Sequence, residues 1–115
     1  MSEGSESIKD ALQRIRRHPL SSPVRLAVAL LLLARGEMEF NELQRVLGTT
    51  PGALWSHIEK MKQCGFIELR RRLSIHGPRL IISLTDRGRE ELLEYLDALD
   101  KLTSIAKRSV PSKTS

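Results

Sequence analysis

Cysteine, aromatic residues and long apolar runs are all scarce in this chain, and each scarcity removes a class of protein. The single cysteine, Cys64, has no partner for an intrachain disulfide and cannot build a thiolate cluster for a metal. That excludes a disulfide-stapled scaffold and disfavours a thiolate-based metal sensor. Aromatic residues make up 3 %, so a core has to be assembled from Leu, Ile, Val and Ala. The longest apolar run, Leu26–Ala34, falls far short of the roughly 20 residues that span a bilayer. The polar opening MSEGSESIKD contains no apolar signal core, so the chain reads as cytoplasmic, with no membrane partner. Also missing are a Gly-rich phosphate loop, a metal-ligand spacing of His, Cys, Asp and Glu, and a nucleophile beside a base. His18, His57 and His76 fall in separate elements. Neither catalysis nor a cofactor is expected.

What is present points to one small, basic, globular domain. A chain of 115 residues with 40 % hydrophobic content supports a single modest core. The net charge is +5, and it is unevenly placed. Residues 51–85 carry Lys60, Lys62, Arg70, Arg71, Arg72 and Arg79 against Glu59 and Glu68. Residues 86–100 reverse the balance, and residues 101–115 are basic again, with no acid. A basic stretch followed by an acidic one suggests one face for a polyanion and another for something else.

Periodicity separates the elements. Ile8, Leu12 and Ile15 recur at helical spacing, and His18-Pro19 stops that helix. Ser22-Pro23 is a cap followed by a first-turn proline. It opens a helix that is apolar nearly all round, through Leu26, Val28 and Leu30–Leu33, and is expected to be the central buried one. Met38-Glu39-Phe40 suits a short edge strand, and Asn41 can cap a two-turn helix ended by Gly48. Thr50-Pro51 repeats the cap-plus-proline signal before a core stripe of Leu54, Ile58 and Met61. The period then drops to two on both sides of His76-Gly77-Pro78, the signature of a β-hairpin. Thr85 caps a long last helix. The expected fold is mainly α with a small β-hairpin, in the order α, α, short β, α, α, β, β, α: a winged helix-turn-helix with a long C-terminal helix for dimerisation. The expected organisation is a flexible N-terminus (1–7), the winged domain with its N-terminal helix (8–85), a dimerisation helix (86–108) and a disordered tail (109–115).

Several segments together resemble a known family. They are S-P-V-R-L opening the second helix, F-x-E-L-x-x-x-L-G-T-T, L-x-x-H-I-x-x-M, C-G-F-I leading into the hairpin, G-P-R at the wing tip, and L-T-D-R-G-R entering the last helix. Over about residues 18–95 the chain looks like the winged-helix domain of small MarR-like and ArsR-like prokaryotic regulators. The resemblance implies dimerisation through terminal helices, a recognition helix in the major groove and a wing over the minor groove. The chain departs from the family pattern at Leu80 and Ile81, where a polar or aromatic wing residue is common.

The candidate contacts follow from that frame. In the recognition helix, residues 51–64, the side opposite the core stripe offers Gly52, Ala53, Trp55, Ser56 and Lys60 to DNA. Trp55 suits either a thymine methyl or a half-buried packing role. In the wing, residues 70–80, Arg70 and Arg72 share a face, and Arg71 opposes them. Their alternative is a solvated edge strand. Gly77-Pro78 is expected to be the hairpin turn, which places His76 and Arg79 at the wing tip, suited to the minor groove. Arg45 suits phosphate contact or solvent equally. His57 reads as a packed, hydrogen-bonded residue and Cys64 as a small core residue rather than a switch. Ile8, Leu12 and Ile15, with Leu92, Leu96, Leu99 and Leu102, form stripes that a second copy would bury. Folding back on the chain's own domain is the alternative. The expected partners are double-stranded DNA and a second copy. An effector pocket is compatible with the sequence, which does not show one. Non-specific chromosome coating and a protein-interaction module are the competing roles.

Overall fold

A computed structural model describes residues 3–111. Its elements are α1 (Glu3–Arg17), α2 (Pro23–Arg35), β1 (Glu37–Glu39), α3 (Phe40–Leu47), α4 (Pro51–Gln63), β2 (Ile67–Ser74), β3 (Gly77–Leu84) and α5 (Asp86–Ser109). The strands form one antiparallel sheet in the order β1-β3-β2. The architecture is the mainly helical one with a small hairpin that the sequence predicts. Helix α1 begins at Glu3, so residues 3–7, expected to be flexible, belong to it. Residues 1, 2 and 112–115, which include most of the expected tail, lie outside the described residues.

The helix starts follow from capping chemistry. Ser22 Oγ accepts from Arg25 N–H at 3.3 Å, and Thr50 Oγ1 accepts from Ala53 N–H at 3.2 Å. Thr85 Oγ1 accepts from Gly88 N–H at 2.9 Å. Each bond satisfies a donor that the first helical turn leaves free. The third helix is the exception. Glu39, not Asn41, holds its N-cap position, with no side-chain capping bond. The edge strand correspondingly sits one residue earlier than Met38–Phe40.

The core joins α2, α3, α4, the sheet and the first half of α5. Val28, Ala29, Leu32, Met38, Leu43, Leu54, Ile58, Met61, Ile82 and Leu92 are all at most 2 % exposed. Each fully buried side chain of Leu size contributes about 1.5–3 kcal/mol of transfer free energy. The second helix is not buried all round, as its composition suggests. Leu30 is 40 % exposed and Leu33 38 %. The stripe on α5 is divided. Leu92 lies in the domain's own core, and Ile15, Leu96 and Leu99 pack against it. Of the residues expected at a dimer interface, Leu12 is 51 % exposed, while Ile8 and Leu102 are half-buried. Helix α1 packs along α5 with Ala11 and Ala98 buried, so fold-back accounts for part of the stripe.

Candidate nucleic-acid interface

Helix α4 presents one face to solvent. Leu54, Ile58 and Met61 are buried, and Gly52, Ala53, Ser56 and Lys60 are exposed. These exposed positions are the ones the helical period selects. Trp55 takes the half-buried packing role expected as one of its alternatives. It is 41 % exposed, yet its ring meets Phe40 edge-on, with centroids 5.9 Å apart.

The hairpin register decides which wing residues join that face. Paired residues in an antiparallel ladder share a side of the sheet. Ile67, Leu69, Ile82, Leu84 and Met38 make the inner side, against the helices. Arg71, paired with Leu80, and Leu73, paired with Pro78, continue that same side outward. The opposite side carries Arg70, paired with Ile81, and Arg72, paired with Arg79. A cleft of about 280 Å³ opens between α4 and the wing, lined by Glu39, Phe40, Asn41, Trp55, Pro78, Arg79 and Leu80. Trp55 and Arg79, far apart in sequence, therefore meet in one concavity.

Two expected DNA contacts are otherwise engaged. Arg70 Nη2 bonds Glu37 Oε1, and Arg72 Nη2 bonds Glu37 Oε2 at 2.7 Å. The Arg72 hydrogen bond is the main reason the Glu37 carboxyl titrates below its ordinary range; the charges of Arg72 and Arg70 add to it. This clamp lies on the outer side of the sheet, where Ile81 is buried beneath it at 1 % exposure. Among the described residues, Arg45, Lys60, Lys62, Arg71 and Arg79 form no ion pair. Arg71, set aside by the sequence reading, is thus an uncompensated cation on the side that continues toward α4. Its signal was available, since it falls in register with Ile67 and Leu69.

The wing tip also differs from expectation. The turn is Ile75-His76, not Gly77-Pro78, which belongs to β3. His76 N–H donates to Ser74 Oγ at 3.2 Å, and Ser74 Oγ–H donates to Gly77 O at 2.8 Å. Gly77, at φ 102°, takes the positive φ that closes the turn and that a side chain would resist. His76 is at the tip as expected. Arg79 instead lies on the stem, opposite Arg72.

A polar chain ties α4 to the terminal helices. His57 Nδ1 accepts from Arg25 Nη1 at 2.9 Å, and Arg25 Nε donates to Pro19 O at 2.6 Å. His18 Nδ1 accepts from Leu20 N–H at 3.0 Å. Its Nε2 therefore carries the proton and donates to Glu91 Oε2 on α5 at 3.0 Å. Burial, and then the charges of Arg25 and Lys60, hold the His57 pKa below its ordinary value. His57 is the packed, hydrogen-bonded residue expected. A second cleft, about 310 Å³, lies beside this chain between α1 and α5, with Arg14 and Arg17 facing Glu91 and Glu94 around Tyr95. Cys64 caps α4, half-buried, and its carbonyl accepts from Arg87 Nε at 3.1 Å. Among the described residues, no cluster of His, Cys, Asp and Glu could hold a metal, and no helix is long and apolar enough to cross a membrane.

Comparison with known proteins gives this geometry a family. A family model described as a winged helix DNA-binding domain matches residues 24–103. An uncharacterized protein of Methanocaldococcus jannaschii is 33 % identical over 76 residues, covering 66 % of this chain and 83 % of that protein. The structure of a transcriptional regulator homologue from Pyrococcus horikoshii is 32 % identical with a TM-score of 0.77, covering 88 % of this chain and 99 % of that one. PadR of Bacillus subtilis, solved in complex with operator DNA, shares the fold at a TM-score of 0.57 and 23 % identity, over 65 % of this chain and 47 % of that one. PadR regulators are a different family from the MarR-like one that the motifs resemble.

Proposed function

Because the chain belongs to the winged helix DNA-binding domain family, we propose that it is a transcriptional regulator that binds double-stranded DNA as a homodimer. Helix α4 enters the major groove, and the wing lies over the adjacent backbone and minor groove. The observation that carries this reading is the cleft between α4 and the wing, where Trp55 and Arg79 converge. Arg79 lines it, and Lys60 on the exposed face of α4 and Arg71 on the wing are likewise without ion-pair partners among the described residues. Unpaired cations on the recognition helix and the wing are what a phosphate backbone selects. Gly52, Ala53 and Ser56 let α4 approach base edges closely. They offer no bidentate reader, so DNA shape contributes to selectivity. The exposed Leu12 on α1 and Leu93 on α5 support burial of the terminal-helix side against a second copy. A twofold pair would place two recognition helices about one helical turn, ~34 Å, apart. The chain works in the cytoplasm, at the chromosome.

The test is titration of labelled duplexes from the protein's own upstream region, against shuffled duplexes, at two salt concentrations. The regulator reading expects the native duplex to win by at least ~10³-fold and log K to fall by about 0.9 per phosphate neutralised for each decade of salt. Equal binding of all duplexes would identify a chromosome-coating protein. No binding would leave the fold serving a protein partner.

A further inference from the structure

The wing ends in apolar side chains that nothing in the chain covers. Ile75 is 96 % exposed and Leu73 85 %, more than any other large apolar residue described. Leu73 lies near the end of β2, and the turn that carries Ile75 is closed by two hydrogen bonds. Ser74 Oγ bonds both His76 N–H and Gly77 O, and Gly77 closes the loop at φ 102°. Ile75 is therefore held outward on a fixed support and has little backbone freedom to lose on contact.

The surroundings identify what this tip meets. Between Glu68 and Asp86 the chain has four arginines and no acidic residue. Arg71 and Arg79 stand on opposite sides of the wing stem, neither in an ion pair among the described residues. Pro78, paired with Leu73, also lines the cleft with Trp55. The apolar tip is thus continuous with the cationic surface proposed for DNA. Its reach fits as well. From Leu69, the last β2 residue packed on the core, six residues lead to Ile75, about 20 Å at ~3.3 Å per residue. The minor groove beside an occupied major groove lies about half of a ~34 Å turn away.

We infer that Ile75, backed by Leu73, is a wedge that enters the minor groove next to the α4 site, partly unstacks one base step and kinks the duplex. Arg71 and Arg79 hold the flanking phosphates. Burial of the tip and the closer wrap of the bent duplex offset the unstacking. Pyrimidine–purine steps, which open most easily, are the preferred entry points. This inference rests on the DNA-binding reading above.

A duplex selected by the full chain from a randomised pool supplies the probe. It is labelled at both ends for energy transfer, with 2-aminopurine at the wing-side step. The wild type is expected to shorten the end-to-end distance, by a kink of about 20–90°, and to brighten the 2-aminopurine several-fold. Ile75→Ser alters a side chain that is solvated in the free protein, so the fold is kept. It is expected to bind within about ten-fold of wild type, since lost burial and avoided unstacking offset each other. It leaves the duplex straight and the probe quenched, and Ile75→Leu restores both signals. If no duplex is enriched, the DNA-binding reading falls and takes the wedge with it. If a duplex is enriched but the wild type holds it straight, or Ile75→Ser kinks it equally, the wedge alone is overturned. If Ile75→Ser instead changes the sedimentation of the free chain, the tip is a contact between protein copies and the wedge is likewise overturned.

Discussion

Gly88→Ala tests how α5 is joined to the base of the wing. Gly88 lies buried in the first turn of α5. A Cβ there would sit 2.0 Å from Phe66 O, 2.8 Å from its carbonyl carbon and 3.0 Å from its Cα. These are backbone atoms that cannot rotate away, so the helix start has to withdraw by about 1 Å to reach the closest contact tolerated. That movement strains the junction bonds, Thr85 N–H to Phe66 O at 3.0 Å and Thr85 Oγ1–H to Gly65 O at 2.6 Å. Alanine regains about 1 kcal/mol of helix propensity over glycine. Against this stand overpacking, about 1–3 kcal/mol, and two weakened hydrogen bonds at about 1 kcal/mol each. The net expectation is a loss of about 2–4 kcal/mol, a fall in Tm on the order of 10 °C for a domain of this size. Thermal melts by circular dichroism, with Arg89→Ala on the exposed side of the same turn as control, read it out. A Gly88→Ala Tm within about 2 °C of wild type would refute the close approach of α5 to Phe66.

Other outcomes follow from the charges and exposed side chains. Glu37→Gln releases Arg70 and Arg72; duplex affinity at low salt is expected to rise and the salt slope to steepen, whereas Arg71→Ala lowers affinity and flattens the slope by about 0.9. An unchanged salt slope in both variants would remove the wing from the interface. His57 is held neutral, with its pKa below 6.5 by burial first. The unfolded chain therefore takes up this proton before the folded one, and stability is lost as pH falls below about 6.5. His57→Gln, which keeps an acceptor for Arg25, is expected to flatten the decline of Tm between pH 7 and 5, and equal declines would contradict the assignment. Leu12→Glu with Leu93→Glu places charge on half-exposed α1 and α5 positions. Sedimentation is expected to show a dimer for the wild type and a monomer for the variant, and equal sedimentation of the two would overturn the proposed interface.

The caps and the core stripes were legible because each is a local rule. Ser22-Pro23, Thr50-Pro51 and Thr85 name helix starts by the one hydrogen bond each side chain makes. Asn41 has the same local credentials and fails, because Glu39 takes the N-cap position and Phe40 opens the helix while packing against the core. The hairpin turn misled in a similar way. Gly77-Pro78 is the stronger turn dipeptide, but the paired bonds of Ser74 close the chain two residues earlier and leave Pro78 in β3. The stripe on α5 could not reveal its partner. An apolar face specifies burial, not which chain supplies it, and α1 and the core take Leu92 and Ala98 before any second copy does.

The arginine run shows where sequence reasoning stops and three-dimensional pairing begins. Alternation separates Arg71 from Arg70 and Arg72, but charge counting favours the pair as the polyanion site. Whether a cation is available depends on its neighbours across the sheet, and Glu37 reaches Arg70 and Arg72 only because β1 pairs with β3 on the far side from β2. The same logic applies to α4. Its exposed side is legible from period alone, but its placement depends on Arg25, which bonds Pro19 O and His57 at once, and on His18, which bonds Glu91 of α5. In the proposed dimer, two half-sites would require the recognition helix at a fixed distance from the twofold axis. These bonds couple α4 to the helices that carry the exposed leucines. Polar side chains at element junctions therefore fix where α4 stands relative to the terminal helices, while the apolar core supplies most of the stability.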